Sequence, residues 1–565
     1  MIEGFDKKGI YFIALGGAEE IGYNMYAYIT NGKMIVVDAG FGFLRDDYPG
    51  MEMGLVDTSF LEKYADDIEG MFITHGHEDH YGAIGYIWPK LRCPLYATDF
   101  TLGHIKNRLQ EYHINDYERL HSATSQPTIK LDNFTVEFIP ITHSCPQSSA
   151  LVIQTPYATV FHATDWRFDD DKTPAALTNH KALFKIAQNK IDIYVGDSTN
   201  MAEEHDEPSE YEIRQNLLKL VPELSNTVAA TCFASNIMRM ESLILAAAAA
   251  GRTAVIVGHS LNQNYQIAQE CGYLKDCPKA FDIKDASDIT SDKALYICAG
   301  SQGDWRSALS RIANGESKDI ILKAGDNIIF SSKIIPGNEE KIERMQEKLR
   351  DMGVNVISSE DYTVHASGHA TPNQIIEMYR LLQPHLVIPV HGDKRNIRRQ
   401  RKLAQENGVG DVIIARNGDI LHYINEHAAI EGEVFTRKLG VNRKQLVALD
   451  AQLIKNRRRI AYNCSVFISA VFDSLWHLKD LQISSIDILE ETEFNLLRDE
   501  IITGIYADIA KEIVKLNYRE NQIKEYLAAR IRRQIYKQTD IKPVVFMHFY
   551  KESSADLSTA SYTGK

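Results

Sequence analysis

Short apolar, β-branched runs bounded by turn residues recur from the N-terminus to about residue 200: YFIAL, MIVVDAG, MFITH, TVEFIPI, ALVIQ, ATVFHA and IDIYVGD. Longer amphipathic stretches separate them, and the pattern predicts a mixed α/β domain with two substantial sheets. Between roughly 201 and 350 the rhythm changes. Helical stretches such as SEYEIRQNLLKLV and IMRMESLILAAAAA alternate with the strand runs TVAATCF, TAVIVG, ALYICAG and NIIFSS. A βα repeat of this kind predicts a parallel sheet in a compact inserted domain. The runs HLVIPVHGD and VIIARNGDILHYI, around 385–425, return to the first rhythm and are expected to complete the first domain. Beyond them lie a polar, basic connector and then CSVFISAVF, two helical stretches and PVVFMHFY, which predict a small α+β domain. The expected boundaries are 1–205 and 356–432 for the first domain, 206–355 for the insertion, 433–460 for a linker, 461–552 for the C-terminal domain and 553–565 for a disordered tail.

Composition narrows the class. A chain of 565 residues exceeds a single ordinary core, and its 24% charged and 44% hydrophobic residues exclude a largely disordered protein. Seven scattered cysteines without a CxxC pair argue against a disulfide framework or a cysteine-rich zinc module and fit a reducing compartment. No signal peptide is expected at the N-terminus, and the longest apolar run, Leu243 to Ala250, falls well short of the roughly 20 residues a membrane span needs. A cytoplasmic protein with no membrane partner follows as the expectation. The net charge of −14 argues only weakly against a polyanionic partner, because electrostatic footprints are local and bound divalent ions reverse the sign. Basic clusters at Lys394–Lys402, Lys455–Arg459 and Arg530–Arg533 read equally well as solvated helix faces.

The segment GMFITHGHEDH, Gly70 to His80, places His75, His77, Asp79 and His80 on one turn after a strand-like run. Imidazoles and carboxylate suit a borderline divalent ion such as zinc, and four donors exceed what one tetrahedral site can use, which points to two adjacent metals. Further donors sit where other apolar runs end: Asp38, His143, Asp165 and His391. Strand ends in α/β layers converge on one rim, where residues distant in sequence can share ions. Metals about 3.5–4 Å apart can activate a water and brace the attacking and leaving oxygens of a displacement at phosphorus.

The His-x-His-x-Asp-His pattern with these partners resembles the metallo-β-lactamase superfamily, whose αββα sandwich carries a binuclear zinc centre at one rim. The resemblance implies two Zn²⁺ per subunit, with His75, His77 and His143 on the first, Asp79 and His80 on the second, Asp165 bridging, and Asp38 orienting the ligands from behind. Asp197 in GDSTN, His369 in HASGHA and His391 in PVHGD are similar to the motifs of the β-CASP group, nucleic-acid-processing members with an inserted parallel-sheet domain. By that resemblance His391 completes the second metal site, His369 contacts a scissile phosphate oxygen or protonates the leaving oxygen, and Asp197 fixes the network or assists proton transfer. A local helix-capping role for Asp197 is the competing reading. Asp79, Asp197 and His369 are thus the expected catalytic residues.

Within the group the chain resembles the ribonuclease J family, which degrades RNA from 5′ to 3′, cuts internally and serves RNA maturation and mRNA decay. FASN at Phe233–Asn236 and HASGH at His365–His369 carry this likeness. It implies a pocket for a 5′-monophosphate built from Ala234, Ser235, Asn236, His365, Ala366, Ser367, Gly368 and His369, with Gly368 admitting backbone N–H groups to phosphate oxygens. It further implies an RNA partner, assembly into a homodimer or homotetramer through the C-terminal domain, and a place in an RNA-degradation complex. One departure stands out: GHS at Gly258–Ser260, where the family is expected to carry GRS, so His259 either tunes the pocket or is a buried structural residue. Lys394 and Arg395 are candidates for tracking an RNA backbone, and Phe43, Tyr48, Trp166 and Phe168 for base stacking or rim packing. The rival readings are a DNA-directed β-CASP nuclease, a small-molecule metallo-hydrolase and a catalytically silent RNA-binding scaffold.

Overall fold

The computed structural model describes residues 4–552 except 6, 7, 45, 46, 171, 174–177, 204, 336 and 337. The expected disordered tail, 553–565, lies outside the described residues. The described residues form two compact units, one within 4–43 and 54–438 and the other within 44–53 and 439–552.

In the larger unit two sheets stack face to face. The first has eight strands in the order His427–Glu433, Asp419–Ile424, Ile10–Gly16, Met25–Thr30, Lys33–Val37, Ile68–Phe72, Leu95–Ala97 and Leu120–Ser122. The second has seven, in the order Asp411–Val412, Leu386–Val390, Ile193–Asp197, Thr159–Thr164, Ser149–Gln154, Thr135–Pro140 and Thr128–Lys130. Alternate residues of each strand point inward: Phe12, Tyr28, Val37 and Phe72 from one sheet meet Phe138, Leu151, Val195 and Ile388 from the other in a continuous core. The opposite set, including Val152, Phe161, Tyr194 and Val387, packs against the helices His180–Ala187, Pro372–Leu382 and Lys394–Glu406. This is the expected αββα sandwich.

The sheets also show how the chain leaves and returns. Asp197 ends one strand, and about 190 residues later Leu386–Val390 pairs in parallel with that strand, Ile193 opposite Leu386 and Asp197 opposite Val390. Asp419–Ile424 then adds antiparallel to Ile10–Gly16, with Ile10 opposite Tyr423. Residues from the two ends of the larger unit are therefore brought to a single rim.

The excursion forms a six-stranded, wholly parallel sheet in the order Phe281–Asp282, Thr253–Val257, Ala294–Cys298, Val228–Thr231, Asn327–Phe330 and Asn355–Ile357. Its last strand runs two residues past the expected boundary at 355. Helices cover both faces. Glu210–Glu223, Ile237–Ala249 and His259–Glu270 pack on Ala230, Ile256 and Ile297, while Ala308–Ala313 and Glu339–Asp351 pack on Val255, Tyr296 and Ile328. A capping box opens Glu210–Glu223: the Ser209 hydroxyl accepts from the Glu212 N–H, and the Glu212 carboxylate accepts from the Ser209 N–H. Phe100, Cys145, Val364 and Ala366 join this core, so the insertion shares apolar packing with the sandwich.

The smaller unit contains a three-stranded sheet, ordered Leu478–Ile486, Ser465–Phe472 and Val544–Lys551. Two helices, Glu491–Lys515 and Glu520–Thr539, bury Leu497, Ile501, Ile505, Ile509 and Ile513 and Ile523, Leu527, Ile531 and Ile535 at helical spacing against one sheet face. Two features depart from the sequence-based expectation. The stretch expected as a linker, 433–460, carries the hairpin Lys438–Asn442 and Gln445–Ala448 and most of the helix Gln452–Asn463. Residues 44–53 also group with the C-terminal unit although they lie within the segment expected to form the first domain.

Candidate metal centre and phosphate site

Most side chains of the candidate site leave the end of a strand or the turn just beyond it, whereas His369 precedes the helix Pro372–Leu382. Asp38 follows Lys33–Val37, and His75, His77, Asp79 and His80 follow Ile68–Phe72. Asp165 follows Thr159–Thr164, Asp197 closes Ile193–Asp197, and His391 follows Leu386–Val390. The backbone is forced there. Asp38, Thr164 and His391 have φ of 63°, 54° and 49°, a left-handed conformation that side-chain-bearing residues seldom adopt and that clusters at functional sites.

Three groups of donors result, each with ligand atoms within 4.8 Å of one another: His75, His77, His143 and Asp165; Asp79, His80, Asp165 and His391; and Asp165, Asp197, His369 and His391. In the first, His77 Nδ1 lies 3.2 Å from His75 Nε2 and 3.0 Å from His143 Nε2. Other hydrogen bonds decide which nitrogens face inward. The His143 Nδ1–H donates to the Gly368 carbonyl at 2.6 Å and the His80 Nδ1–H to Asp38 Oδ2 at 2.8 Å, leaving each Nε2 toward the centre. Asp38 is itself held by the Thr74 N–H at 2.9 Å and hydroxyl at 3.0 Å.

Asp165 lies between the groups. Its Oδ2 is 3.2 Å from His80 Nε2 and 3.9 Å from both His75 Nε2 and His143 Nε2, and its Oδ1 is buried without a hydrogen bond. His391 Nε2 stands 3.1 Å from Asp79 Oδ2, and His391 Nδ1 stands 3.2 Å from Asp165 Oδ1. Burial pushes His75 and His143 well below the usual imidazole range and His77 to about 4. Burial also works against charging His80, but Asp165, Asp79 and Asp38 outweigh it and carry its pKa up to about 10. The same contest, won by Asp165 and Asp197, raises His391. Buried carboxylates are concentrated here with no Lys or Arg among the three groups, so protons or bound cations must balance them. Nitrogens that converge lone pair to lone pair and a buried carboxylate without a hydrogen bond on Oδ1 between two histidine sets fit bound divalent metal.

Beside this centre His369 Nδ1 lies 2.6 Å from Asp197 Oδ2. Burial lowers the His369 pKa, Asp197 raises it more, and the net shift is upward. Asp197 Oδ1 accepts from the Thr199 N–H at 2.7 Å and hydroxyl at 2.6 Å within a turn, and because no helix begins at 198–203 the expected helix-capping role is replaced by a turn bond made beside the bond to the histidine. Asp79 and His369 keep 31% and 21% of their side-chain surface open, which sets the direction of approach.

The HASGH segment is clamped from several sides. Ser367 Oγ accepts from the Asn200 amide at 2.8 Å, the Ser367 carbonyl from Arg167 at 2.6 Å, and the Ser367 N–H donates to Glu207 at 3.2 Å. A Cβ on Gly368 would stand 2.8 Å from His143 ring atoms, so the glycine makes room for that histidine. Ala366 is in the core, and Asn236 caps the helix Ile237–Ala249, accepting from the Arg239 N–H at 2.9 Å. Ala234 and Ser235 remain partly exposed, and His365 lies 3.5 Å from Arg239. His259 is exposed and lines a recess with Phe233 and Ala234, which removes the buried structural reading. Trp166 is fully buried and cannot stack a base, whereas Phe43 is exposed. Lys394 and Arg395 are exposed on the helix capped by Asp393.

Sequence reading missed the residues that hold this arrangement. Asn24 donates its amide to the Asp79 carbonyl at 3.1 Å and lies 3.0 Å from His80 Nε2, with its own oxygen fixed by the Tyr26 hydroxyl at 2.7 Å. Arg239, wholly buried, pairs with Glu210 at 2.9 Å and donates to the carbonyls of Ser331 at 2.8 Å and Val364 at 3.0 Å. Neither carries a motif. A lone Asn after a turn and a lone Arg on an apolar helix acquire meaning only from partners far along the chain.

Comparison with known proteins gives the same answer by an independent route. Residues 33–200 match the beta-lactamase superfamily domain, 225–349 the beta-CASP domain of ribonuclease J, and 360–415 the RNA specificity domain of Zn-dependent metallo-hydrolases. The ribonuclease J of Sinorhizobium meliloti is 30% identical over 550 residues, 96% of this chain and 97% of that protein. That of Mycolicibacterium smegmatis is 34% identical over 441 residues, covering 77% of this chain and 78% of the relative. A crystal structure of a protein of unknown function from Enterococcus faecalis V583 shares the fold with a TM-score of 0.52 at 16% identity, over 74% of this chain and all of that one. With its metallo-β-lactamase sandwich, its inserted β-CASP sheet and a near full-length relative at this identity, the chain belongs to the ribonuclease J family.

Proposed function

We propose that the chain is a two-zinc ribonuclease that hydrolyses RNA phosphodiester bonds, working 5′ to 3′ from 5′-monophosphate ends and also cutting internally, in RNA maturation and mRNA decay. The observation that carries the reading is Asp165, whose buried carboxylate stands between two histidine sets, Oδ2 3.2 Å from His80 Nε2 and Oδ1 3.2 Å from His391 Nδ1 without a hydrogen bond. His75, His77 and His143 would hold one ion, Asp79, His80 and His391 the other, and Asp165 both. Bound there, the ions would lower the pKa of a water and neutralise charge building on the phosphate oxygens.

The remaining roles belong to side chains. Asp38 and the Gly368 carbonyl fix the tautomers of His80 and His143, so each presents Nε2 without reorganisation. His369, whose pKa Asp197 raises, faces the open side of the centre and would give a proton to the leaving 3′ oxygen. Asp79 would orient the attacking water from its exposed edge. Ser235, Ser367 and His365 would define the 5′-phosphate pocket, and the exposed basic face of Lys394–Glu406 would follow the backbone.

The outer face of the C-terminal sheet, where Phe467, Phe546 and Tyr550 are exposed, supports assembly into a homodimer or homotetramer, with sedimentation of a Phe467→Glu variant as its check. No described helix is long and apolar enough to cross a membrane, in keeping with a cytoplasmic enzyme that works alone or in an RNA-degradation complex. The deciding experiment is a time course on end-labelled RNAs bearing 5′-monophosphate, 5′-triphosphate or 5′-hydroxyl, with a matching DNA oligonucleotide. Mononucleotide release favouring monophosphorylated RNA is expected. Intact RNA beside hydrolysed DNA or thioester would overturn the reading.

A further inference from the structure

A recess of about 500 Å³ lies over the carboxyl end of the inserted parallel sheet. Its walls are the segments that follow three neighbouring strands: Phe233 and Ala234 after Val228–Thr231, Gly258 to Ser260 after Thr253–Val257, and Ala299 to Gln302 after Ala294–Cys298. The first two strands lead into helices on one face of the sheet. Ala294–Cys298, which lies between them, leads into Ala308–Ala313 on the other. Such a reversal opens a crevice at the strand ends, the place where open α/β sheets take ligands.

The charge in this recess is arranged for an anion. Arg306 and Arg311 line it, and among the described residues neither guanidinium has an ion-pair partner. Asp304 is the lone carboxylate among the lining residues, and its Oδ1 already accepts the Arg306 N–H at 3.0 Å. The helix His259–Glu270 starts at the recess from Gly258, which has no side chain to cap it, so the first-turn N–H groups add to the positive field. His259 contributes no permanent charge. At the rim, between Asp304 and Arg306, Trp305 is 65% exposed, with the Arg306 guanidinium 4.6 Å from its ring centre. A large aromatic face beside unpaired guanidinium groups matches a base joined to a phosphate.

We propose that this recess is a nucleotide subsite in which Arg306 and Arg311 hold the phosphate and Trp305 stacks the base, supplying from the 305–311 segment the permanent charge that His259 does not. The proposal rests on the reading of the chain as an enzyme of 5′-monophosphorylated RNA, and it adds Arg306 and Arg311 to Ser235, Ser367 and His365 as groups that set that preference. Four tryptophans are present, and Trp88 and Trp166 are fully buried, so comparison with Trp305→Phe isolates the signal of the exposed ring.

The test titrates the metal-loaded, full-length protein with 5′-UMP and with uridine, reading tryptophan fluorescence, and then repeats the titration for Arg306→Ala and Arg311→Ala. Quenching by 5′-UMP that disappears in Trp305→Phe is expected, with binding about 10-fold weaker in each arginine variant and for uridine. An unchanged Trp305 signal on adding 5′-UMP, or equal affinity in wild type and both arginine variants, would overturn the proposal. A parallel cleavage assay keeps the two ideas apart. If wild type prefers 5′-monophosphate over 5′-hydroxyl RNA and the arginine variants keep that preference in full, the subsite is wrong and the broader reading stands. If wild type shows no preference, the broader reading fails, and the fluorescence titration still judges the recess.

Discussion

His143 donates its Nδ1–H to the carbonyl oxygen of Gly368 across 2.6 Å, although 225 residues separate them. The bond turns His143 Nε2 toward the candidate metals, and the glycine is needed because a Cβ would stand 2.8 Å from the ring. Gly368→Ala is therefore expected to tilt the imidazole and weaken metal binding by about 10–100-fold. Competition with a chromophoric chelator measures this. Far-UV circular dichroism should remain that of the wild type.

The shared carboxylate predicts a particular stoichiometry. Asp165→Asn removes the negative charge and replaces one of the two oxygens that face the histidine sets with an NH2 group, and is expected to cost most of both metal equivalents, whereas His77→Ala costs chiefly one. Metal content by mass spectrometry after dialysis distinguishes them, and cleavage of RNA should be lost in both variants.

Asp197 raises the His369 pKa, so Asp197→Asn should lower it. The rate should drop by about 10²–10⁴-fold, and the alkaline limb of the pH–rate profile should move to lower pH, since the donor then loses its proton sooner. An unmoved limb would assign Asp197 to the Thr199 turn alone.

The buried Glu210–Arg239 pair should behave asymmetrically. Removing one partner strands the other charge, so Arg239→Met or Glu210→Gln is expected to cost about 3–5 kcal/mol in urea unfolding, and the double replacement less than the sum.

Stability should decline in mild acid. Burial holds His104 at about 4 and His162 at about 3, against 6.5 for an ordinary imidazole. The unfolded chain therefore binds protons that the folded one refuses, and below pH ~6.5 each group costs about 1.4 kcal/mol per pH unit until its folded pKa is reached. His104→Phe, packed beside Phe100, should make the decline between pH 6.5 and 5 shallower in urea titrations.

Much of this protein was legible in its sequence for local reasons. Continuous apolar runs bounded by turn residues marked Ile10–Gly16 and Ile193–Asp197, and helical spacing marked the two long helices, because both signals are local to the chain. The short strands Phe281–Asp282 and Asn355–Ile357 escaped notice, since two or three residues show no period. The helix within the expected linker was hidden by its charge: Gln452–Asn463 buries only Ile454 fully. Candidate ligands could be read because His75, His77, Asp79 and His80 crowd one turn, and the rest end apolar runs.

The sequence by itself determined which side chains were available, which elements would carry them and that chemistry would gather at strand ends. The tertiary structure decided the pairings: Asp38 with His80, Gly368 with His143, Asp197 with His369 and Asn24 with Asp79. It also set Asn236 at a helix start and Ala366 in the core, and placed Arg306 and Arg311 around the recess. The reason is physical. Periodicity and turn chemistry act over a few residues and are written into the chain, whereas a hydrogen bond across 225 residues depends on sheet register and on which strand lies beside which. Neither exists until the chain has closed on itself.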